Sequence, residues 1–286
     1  MGSDAHLPGA VTHEAAVWAD RERRLERLRD PEGWLSLVGL TWLHDGDNPV
    51  GAGSADVVLP GTETPALVGT VTVGDGGASF VPAPRAEVTH DGEPLTGALA
   101  LVDDVDGEPT VLAVGTLRFH LIRRGDQLGI RVRDRAAPAL ATFRGLEYFP
   151  IDPSWRVAAR FERASGRTVA VPDVIGLVTD ELSPGSVVFE RHGLEQRLDA
   201  LEDTDDGALF LVFGDATNGR ETYAGGRFLY TDAPSADGTV VADFNLAYNP
   251  PCVFSPFATC PLPWPENRLP IRIEAGERAY GLDWSP

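Results

Sequence analysis

Residues 243–268, DFNLAYNPPCVFSPFATCPLPWPENR, contain more groups able to do chemistry than any other stretch of this chain. Carboxylates near arginines and a tyrosine can act as general acids or bases when burial shifts their pKa values. A cysteine can act as a nucleophile once a neighbouring group stabilises its thiolate. The catalytic candidates in and near this segment are therefore Asp243, Glu266, Tyr223 and Cys252.

A second set of residues near the same segment is suited to binding a ligand. Arg227 follows Gly225 and Gly226, and a double glycine lets the backbone approach a neighbouring strand or a ligand closely. An arginine placed there can hold a carboxylate or a phosphate through two hydrogen bonds. The alternative is a structural ion pair between Arg227 and either Asp243 or Glu266. The ligand-binding candidates are Arg227, Asn245, Tyr248, Asn249, Asn267 and Arg220.

Strand pairing predicts where these groups lie. GGRFLYTD and VVADFNL are separated by a short segment containing an Asp-Gly turn signal, which predicts two adjacent antiparallel strands. Alternation along the second strand would place Asp243 and Asn245 on one face. The proline density of the following segment excludes a helix or a central strand and predicts an ordered loop over the strand end. The same polar groups could instead pin this loop to the sheet, and the sequence leaves both alternatives open.

The two cysteines, Cys252 and Cys260, are too far apart for a CxxC redox pair and too few for a disulfide framework. No histidine lies near them in the sequence, so a catalytic thiolate would need His120 or His192 to approach through the fold. The alternatives are two buried, small hydrophobic side chains or a local cross-link. We expect both thiols to be reduced.

Composition excludes several functions. The net charge is −19 and all 24 basic residues are arginine, which excludes lysine Schiff bases and P-loop phosphate binding. Such an acidic chain is not expected to bind nucleic acid or anionic membranes. The histidines lack metal-binding spacing and no nucleotide-binding motif is present, so we expect neither a metal nor a cofactor. No signal peptide or membrane-spanning apolar run is recognisable, which predicts a cytoplasmic protein.

The elements that must position these groups are predicted to be strands. Thr12 can cap a helix that ends near Arg29. From Asp45 onward, short apolar stretches alternate with turn signals, which favours a mainly β protein with antiparallel β-sandwich or barrel-like sheets. LPIRIEAG is predicted as the last strand. The expected organisation is a helical segment at 1–31, a β lobe at 32–142 and a β lobe at 143–286 that carries the proline-rich loop, with the lobes packed as one unit.

Four segments of the chain resemble a family called domain of unknown function 1684. They are GWLSLVGLTWLHDGDNPVGAGSADVVLP, IRVRDRAAPALATFRGLEYFPIDPSWRVAARFE, GDATNGRETYAGGRFLY and DFNLAYNPPCVFSPFATCPLPWPENRLPIRIEAGE, which together span residues 33–278. The resemblance implies a mostly β protein and points to the same C-terminal residues, but it implies no activity.

The first β lobe also resembles a second family. NPVGAGSADVVLP and THDGEPL have the layout of a forkhead-associated sandwich. Ala52 stands where that family has its phosphate-binding arginine, so the likeness implies a sandwich and no phosphothreonine site.

Together these observations predict an enzyme that performs hydrolysis or acid–base chemistry on a small polar or anionic metabolite. Its pocket is expected between the sheet of the second lobe and the proline-rich loop. The alternative is a non-catalytic domain that binds a small ligand or is purely structural. An enzyme requires titratable groups that converge in a concave site, whereas a structural domain requires those groups to be buried and paired. The oligomeric state is left open.

Overall fold

The computed structural model describes residues 12–105, 107–202 and 206–281. Strand accounts for 44% and helix for 14%, which confirms the prediction of a mainly β protein with antiparallel sheets and an N-terminal helix. The start of the predicted helical segment, residues 1–11, lies outside the described residues. Among the described residues, we find no helix with the length and apolarity that a membrane span requires.

The chain folds into two compact units. The first unit contains residues 1–27, 145–253 and 259–286, and the second contains residues 28–144 and 254–258. The strands are β1 Leu37–Trp42, β2 Gly46–Gly51, β3 Val57–Val58, β4 Gly69–Gly74, β5 Gly77–Pro82, β6 Thr89–His90, β7 Glu93–Pro94, β8 Leu99–Leu101, β9 Val111–Val114, β10 Leu117–Arg124, β11 Gln127–Asp134, β12 Arg156–Pro172, β13 Val178–Arg191, β14 Leu194–Glu202, β15 Leu209–Phe213, β16 Arg227–Thr231 and β17 Thr239–Asp243. The helices are α1 His13–Arg29 and the short α2 Pro138–Thr142.

The N-terminal helix begins where the sequence predicts. The Thr12 hydroxyl accepts a hydrogen bond from the Ala15 amide at 3.2 Å, which satisfies one of the unpaired amides of the first turn. Val17 and Leu28 are buried, while most of the charged residues between them are exposed. Two exceptions, Arg21 and Arg24, are buried and have partners in the first unit.

The first unit is built on one antiparallel sheet with the strand order β16-β15-β14-β13-β12-β17. The two longest strands, β12 and β13, pair with each other, and their register shifts between Arg163 and Arg167. Three aromatic rings, Phe189, Phe213 and Phe244, pack together in the core at centroid distances of 5.4 and 5.5 Å. This core fixes the ends of β15 and β17, from which the candidate residues project.

The second unit is a sandwich of two sheets. One sheet has the order β1-β11-β10-β9-β6-β7 and the other β3-β2-β4-β5-β8. Phe80 on β5 contacts Phe119 on β10 edge to face at 5.7 Å, so the two sheets share one core. Alternation accounts for this arrangement, because inward-facing apolar residues of both sheets bury each other.

Two local predictions are wrong. β16 and β17 are not neighbours in the sheet, because β16 pairs with β15 and β17 pairs with β12. LPIRIEAG does not form a strand; only isolated bridges flank it, between Gly214 and Arg268 and between Tyr148 and Glu277. The short link between β16 and β17 does not form a hairpin, and the two strands lie at opposite ends of the strand order.

Candidate functional site

A cleft of about 730 Å³ opens in the first unit beside the edge strands β16 and β17 and helix α1. It contains acidic, basic and hydroxyl side chains over an apolar floor, the mixture that a polar small molecule requires. The lining residues are His13, Ala16, Val17, Asp20, Arg23, Arg156, Ala208, Tyr230, Thr231, Asp232, Val241, Asp243 and Leu246.

A histidine–carboxylate pair lies in this cleft. His13 Nε2 is 2.6 Å from Asp243 Oδ2, and the two side chains are 24% and 11% exposed. Arg156 Nε lies 4.0 Å from the same carboxylate oxygen. The other ring nitrogen of His13, Nδ1, has no hydrogen-bond partner among the described residues. The carboxylate therefore orients the imidazole while one ring nitrogen is left for a ligand.

The Asp243 carboxylate is held by Asn245. Its Oδ1 accepts hydrogen bonds from the Asn245 backbone amide at 3.1 Å and from Asn245 Nδ2 at 2.9 Å. Asn245 is buried and anchored in turn, because its side chain exchanges two hydrogen bonds with the backbone of Asp152. Asn245 therefore positions the carboxylate instead of facing the cleft.

Strand alternation is not what brings Asp243 and Asn245 together. β17 ends at Asp243, and Asn245 lies in the 3-10 turn Phe244–Leu246 that Asp243 caps. The pair is thus a local turn motif in which an aspartate bonds the amide two residues ahead.

Tyr223 and the two cysteines form a separate cluster. The Cys252 amide donates to Cys260 Sγ at 3.1 Å, and both cysteines are free thiols. The Cys260 thiol and the Tyr223 hydroxyl both lie near enough to the Cys252 sulfur to influence its pKa. These two neighbours, Cys260 first, lower the pKa of Cys252 although burial opposes them. No histidine takes part, so the cluster differs from a cysteine–histidine pair.

Arg227 is fully buried and does not face the cleft. Its guanidinium pairs with Asp215 at 2.7 Å, so neither Asp243 nor Glu266 is its partner. It also donates to the backbone carbonyls of Ile273, Ala275 and Glu277. Burial lowers the pKa of Arg227, and the neighbouring Asp215 carboxylate opposes this shift. Arg227 therefore ties strand β16 both to Asp215, which follows β15, and to the C-terminal segment.

Asn249 and Tyr248 belong to another buried network. The Glu277 carboxylate accepts hydrogen bonds from Arg24 Nε at 3.0 Å and from the backbone amide of Asn249 at 2.8 Å. Burial raises the pKa of Glu277, although Arg24 and Asn249 both stabilise its charged form. The Arg24 guanidinium also lies over the Tyr248 ring, 4.8 Å from its centroid. Helix α1 is thereby fixed to the start of the proline-rich loop.

The remaining candidates lie apart from the cleft. Asn267 is fully buried, and its side chain bonds the backbone of Asp199 and Val212. Glu266 and Arg220 are exposed, and neither lines the cleft. Of the ten candidates, the structure brings Asp243 and Asn245 together at one site and Tyr223 and Cys252 together at another.

Sequence reasoning missed His13, Asp215 and Glu277. His13 shares a helix with many charged residues, and its partner Asp243 is far away in the sequence. Asp215 precedes a turn-like Thr-Asn-Gly segment that gives no sign of a buried charge. Within the described residues, no group of three or more His, Cys, Asp or Glu side chains could hold a metal ion.

Comparison with known proteins identifies the family. The chain belongs to the family described as protein of unknown function, DUF1684, whose model matches residues 141–278. An uncharacterized protein of Haloarcula marismortui, known from a solution NMR structure, is 31% identical; the match covers 51% of this chain and 80% of that protein, with a TM-score of 0.42. No match to a curated protein was found. Residues 33–140, which resemble the family in sequence, lie outside the range that the family model matches.

Proposed function

We propose that this protein is an enzyme that performs acid–base chemistry, hydrolysis foremost, on a small polar or anionic metabolite bound in the cleft of the first unit. The observation that carries the proposal is the contact between His13 Nε2 and Asp243 Oδ2 at 2.6 Å within an open, polar cavity. Histidine is the side chain most often used for proton transfer near neutral pH.

The geometry gives each group a role. With its Nε2–H donated to Asp243, the neutral imidazole has its lone pair on Nδ1, which can accept a proton from a water molecule or a substrate hydroxyl. The Asp243 carboxylate then stabilises the imidazolium that forms. Asn245 holds the carboxylate in place from behind.

The charges around the pair favour a substrate with an anionic group. Arg23 and Arg156 both line the cleft, and more than a third of each side chain is exposed. A guanidinium can bind a carboxylate or phosphate through two parallel hydrogen bonds. The acidic residues Asp20 and Asp232 lie on the same lining and partly balance the charge of the two arginines.

Chromogenic esters test this proposal without knowledge of the natural substrate. The full chain is assayed with p-nitrophenyl acetate and p-nitrophenyl phosphate, and its melting temperature is recorded with the corresponding product anions. We expect turnover by the wild type to fall about 100-fold or more in His13→Gln and Asp243→Asn, since a positioned general base contributes about 10²–10⁴-fold.

The second unit supplies a matched control. His44 Nε2 lies 3.3 Å from Asp56 Oδ2, so it is also a histidine–aspartate pair, but it is exposed and does not line the cleft. His44→Gln should retain the activity. Equal loss in His13→Gln and His44→Gln would assign the turnover to exposed histidines in general, and no loss in either would show that neither histidine is needed. Both results would contradict the proposal.

A non-catalytic role is the second candidate, and the burial of Arg227, Asn249 and Asn267 favours it. These polar side chains are 0% exposed, and their contacts hold the C-terminal segment to the sheet. A protein of this kind would bind product anions with a rise in melting temperature that requires Arg156, yet would turn over neither ester. Binding without turnover therefore selects a ligand-binding domain, and neither binding nor turnover selects a structural one.

A further inference from the structure

We propose that Cys252 and Cys260 form a reactive dithiol site, at which a hydroperoxide oxidises Cys252 and Cys260 then closes a disulfide within the chain. The site is separate from the His13–Asp243 pair and does not depend on the function proposed for the cleft.

The backbone holds the two thiols together. The Cys252 amide is 3.1 Å from Cys260 Sγ, so the buried Cys260 sulfur lies next to the backbone of its partner. Cys260 is fixed because its carbonyl accepts from the Val174 amide at 3.0 Å and the Leu262 amide donates to Pro172 at 2.7 Å. Because the Cys260 sulfur already lies within hydrogen-bond distance of the Cys252 backbone, rotation of the half-buried Cys252 side chain can bring the two sulfurs together.

The surroundings divide the roles between the two thiols. Cys252 is half-buried, whereas Cys260 is only 4% exposed, so a small oxidant reaches Cys252 first. The Cys260 thiol and the Tyr223 hydroxyl stabilise the Cys252 thiolate and lower its pKa. Burial and the neighbouring Cys252 raise the pKa of Tyr223 to about 12, so its hydroxyl stays protonated and can donate. Thiolate character and exposure are the two properties that select a cysteine for oxidation.

The chemistry requires only the two thiols and one peroxide molecule. The Cys252 thiolate attacks one peroxide oxygen, the O–O bond breaks, and Cys252 becomes a sulfenic acid while the released hydroxide takes up a proton. Cys260 then attacks the sulfenic sulfur, the S–S bond forms, and the hydroxyl leaves as water with the proton of the Cys260 thiol. Both sulfurs are oxidised, and the peroxide is reduced to two water molecules.

The disulfide would change the segment between the cysteines. Residues Phe254–Ala258 belong to the second unit, where the Ser255 hydroxyl donates to the Leu37 carbonyl at 2.9 Å. A bond between Cys252 and Cys260 closes a covalent ring at the base of this segment. The oxidised form would therefore hold the segment with less conformational freedom than the reduced form.

Peptide mapping of the full chain tests the proposal. Reduced protein is treated with hydrogen peroxide, remaining thiols are blocked with N-ethylmaleimide, and the protein is digested. Cleavage after Arg227 and Arg268 releases both cysteines in one peptide, and cleavage after Phe254 or Phe257 separates them unless a disulfide joins the pieces. We expect a peptide that has lost two hydrogen atoms, carries no maleimide and stays joined after the second cleavage.

Variants assign the roles. Cys260→Ser should accumulate a sulfenic acid on Cys252 that dimedone traps, and Cys252→Ser should consume peroxide at least about tenfold more slowly. Tyr223→Phe should move the midpoint of the alkylation rate of Cys252 to higher pH, whereas Tyr230→Phe, an exposed tyrosine outside the cluster, should not. His13→Gln should form the disulfide like the wild type, which separates this proposal from the function of the cleft.

Several results would overturn the proposal. The first is that the two thiols react with peroxide no faster than free cysteine does. The second is that Cys252 is oxidised to sulfinic acid while Cys260 stays unmodified. The third is that a non-reducing gel shows disulfides only between chains. The wild-type peptide map decides these outcomes even if a cysteine variant fails to fold.

Discussion

The guanidinium of Arg227 and the carboxylate of Asp215 form an ion pair at 2.7 Å, and both side chains are 0% exposed. The two terminal nitrogens of the guanidinium, Nη1 and Nη2, also donate to the carbonyls of Ile273, Ala275 and Glu277. These contacts add to the backbone hydrogen bonds that join Leu269 to Gly214 and Ala216 to Ile271. Together they hold residues 269–276, which have the composition of a strand, in the first unit without a ladder.

Removal of either partner of this pair should destabilise the protein strongly. Arg227→Leu leaves the buried Asp215 carboxylate without its counter-charge and three carbonyls without the guanidinium donor, and Asp215→Asn leaves a buried cation without its ion-pair partner. We expect each variant to lose about 3–5 kcal/mol of unfolding free energy, the usual cost of breaking a buried pair. Urea denaturation followed by circular dichroism measures this loss.

Exposed Arg220 is the matched control for Arg227. Arg220→Leu removes the same type of charge from the same unit and should stay within about 0.5 kcal/mol of the wild type. If Arg227→Leu also stays within that range and loses a bound anion instead, Arg227 is a ligand-binding residue, as the sequence predicts.

Asn267 and its neighbour Glu266 should respond in opposite ways to substitution. The side-chain oxygen of Asn267 accepts a hydrogen bond from the backbone amide of Asp199 at 2.8 Å. Its side-chain nitrogen donates to the backbone carbonyls of Asp199 and Val212 at 2.9 and 2.8 Å. Asn267→Leu leaves these backbone groups buried and unpaired, at a cost of about 1–3 kcal/mol for each. The exposed Glu266→Gln should be nearly neutral.

Hydrogen exchange locates the effect of Asn267→Leu. The amide of Asp199 should exchange faster in the variant, because its acceptor is the Asn267 side chain. Unchanged protection of that amide in a correctly folded variant would refute the bonding described here.

The sequence predicts local elements well and long-range pairs poorly. The Thr12 cap and the short strands after Asp45 follow from capping residues, apolar stretches and turn signals, and both form as predicted. The pairing of Asp243 with Asn245 is also accessible, because a local turn is read from neighbouring residues. Contacts such as His13 with Asp243 join residues 230 apart, and no pattern in one sequence encodes which distant carboxylate a histidine meets.

The buried polar residues show the same limit. The sequence predicts that Arg227, Asn249 and Asn267 lie in a pocket, because polar groups near prolines and glycines are typical of binding loops. The same groups satisfy backbone atoms of an irregular segment, which must be paired once it is buried. Only three-dimensional burial separates the two roles.

Gly276 should not tolerate a side chain. Its φ is +77°, and a Cβ would lie 2.4 Å from the Ala247 carbonyl oxygen and 2.8 Å from that of Phe244. Gly219 has nearly the same φ, +74°, but its nearest contact would be an ordinary 3.8 Å. Gly219→Ala should therefore cost only the conformational penalty of about 1–2 kcal/mol.

Gly276→Ala adds a backbone clash to that penalty, so its loss of unfolding free energy should exceed that of Gly219→Ala. Urea denaturation of the two variants measures the difference. Equal losses would mean that the turn after Ala247 moves aside without cost.

His120 in the second unit should make stability depend on pH. Burial lowers its pKa from 6.5 to about 4, and the nearby Arg131 and Arg133 guanidiniums add to the shift, with Asp104 acting against them. The folded protein thus keeps this imidazole neutral at a pH where the unfolded chain protonates it. The histidine side chain is only 9% exposed, so solvent screens these charges weakly.

The sign of the effect follows from proton linkage. Between the folded pKa of about 4 and the unfolded value of 6.5, the unfolded state binds the extra proton, so stability rises with pH. The contribution of His120 to the free energy of unfolding is complete above pH 6.5 and is lost as the pH falls towards 4. Each unit of pKa difference corresponds to about 1.4 kcal/mol, so the total is a few kcal/mol.

His120→Gln should flatten the pH dependence of the unfolding free energy in this window. His44→Gln should not, because His44 is exposed and its pKa is raised by hydrogen bonds to Asp45 and Asp56. An NMR titration of the His120 ring with a midpoint near 6.5 would contradict the prediction, because a ring that protonates as readily in the folded state as in the unfolded state cannot couple folding to pH.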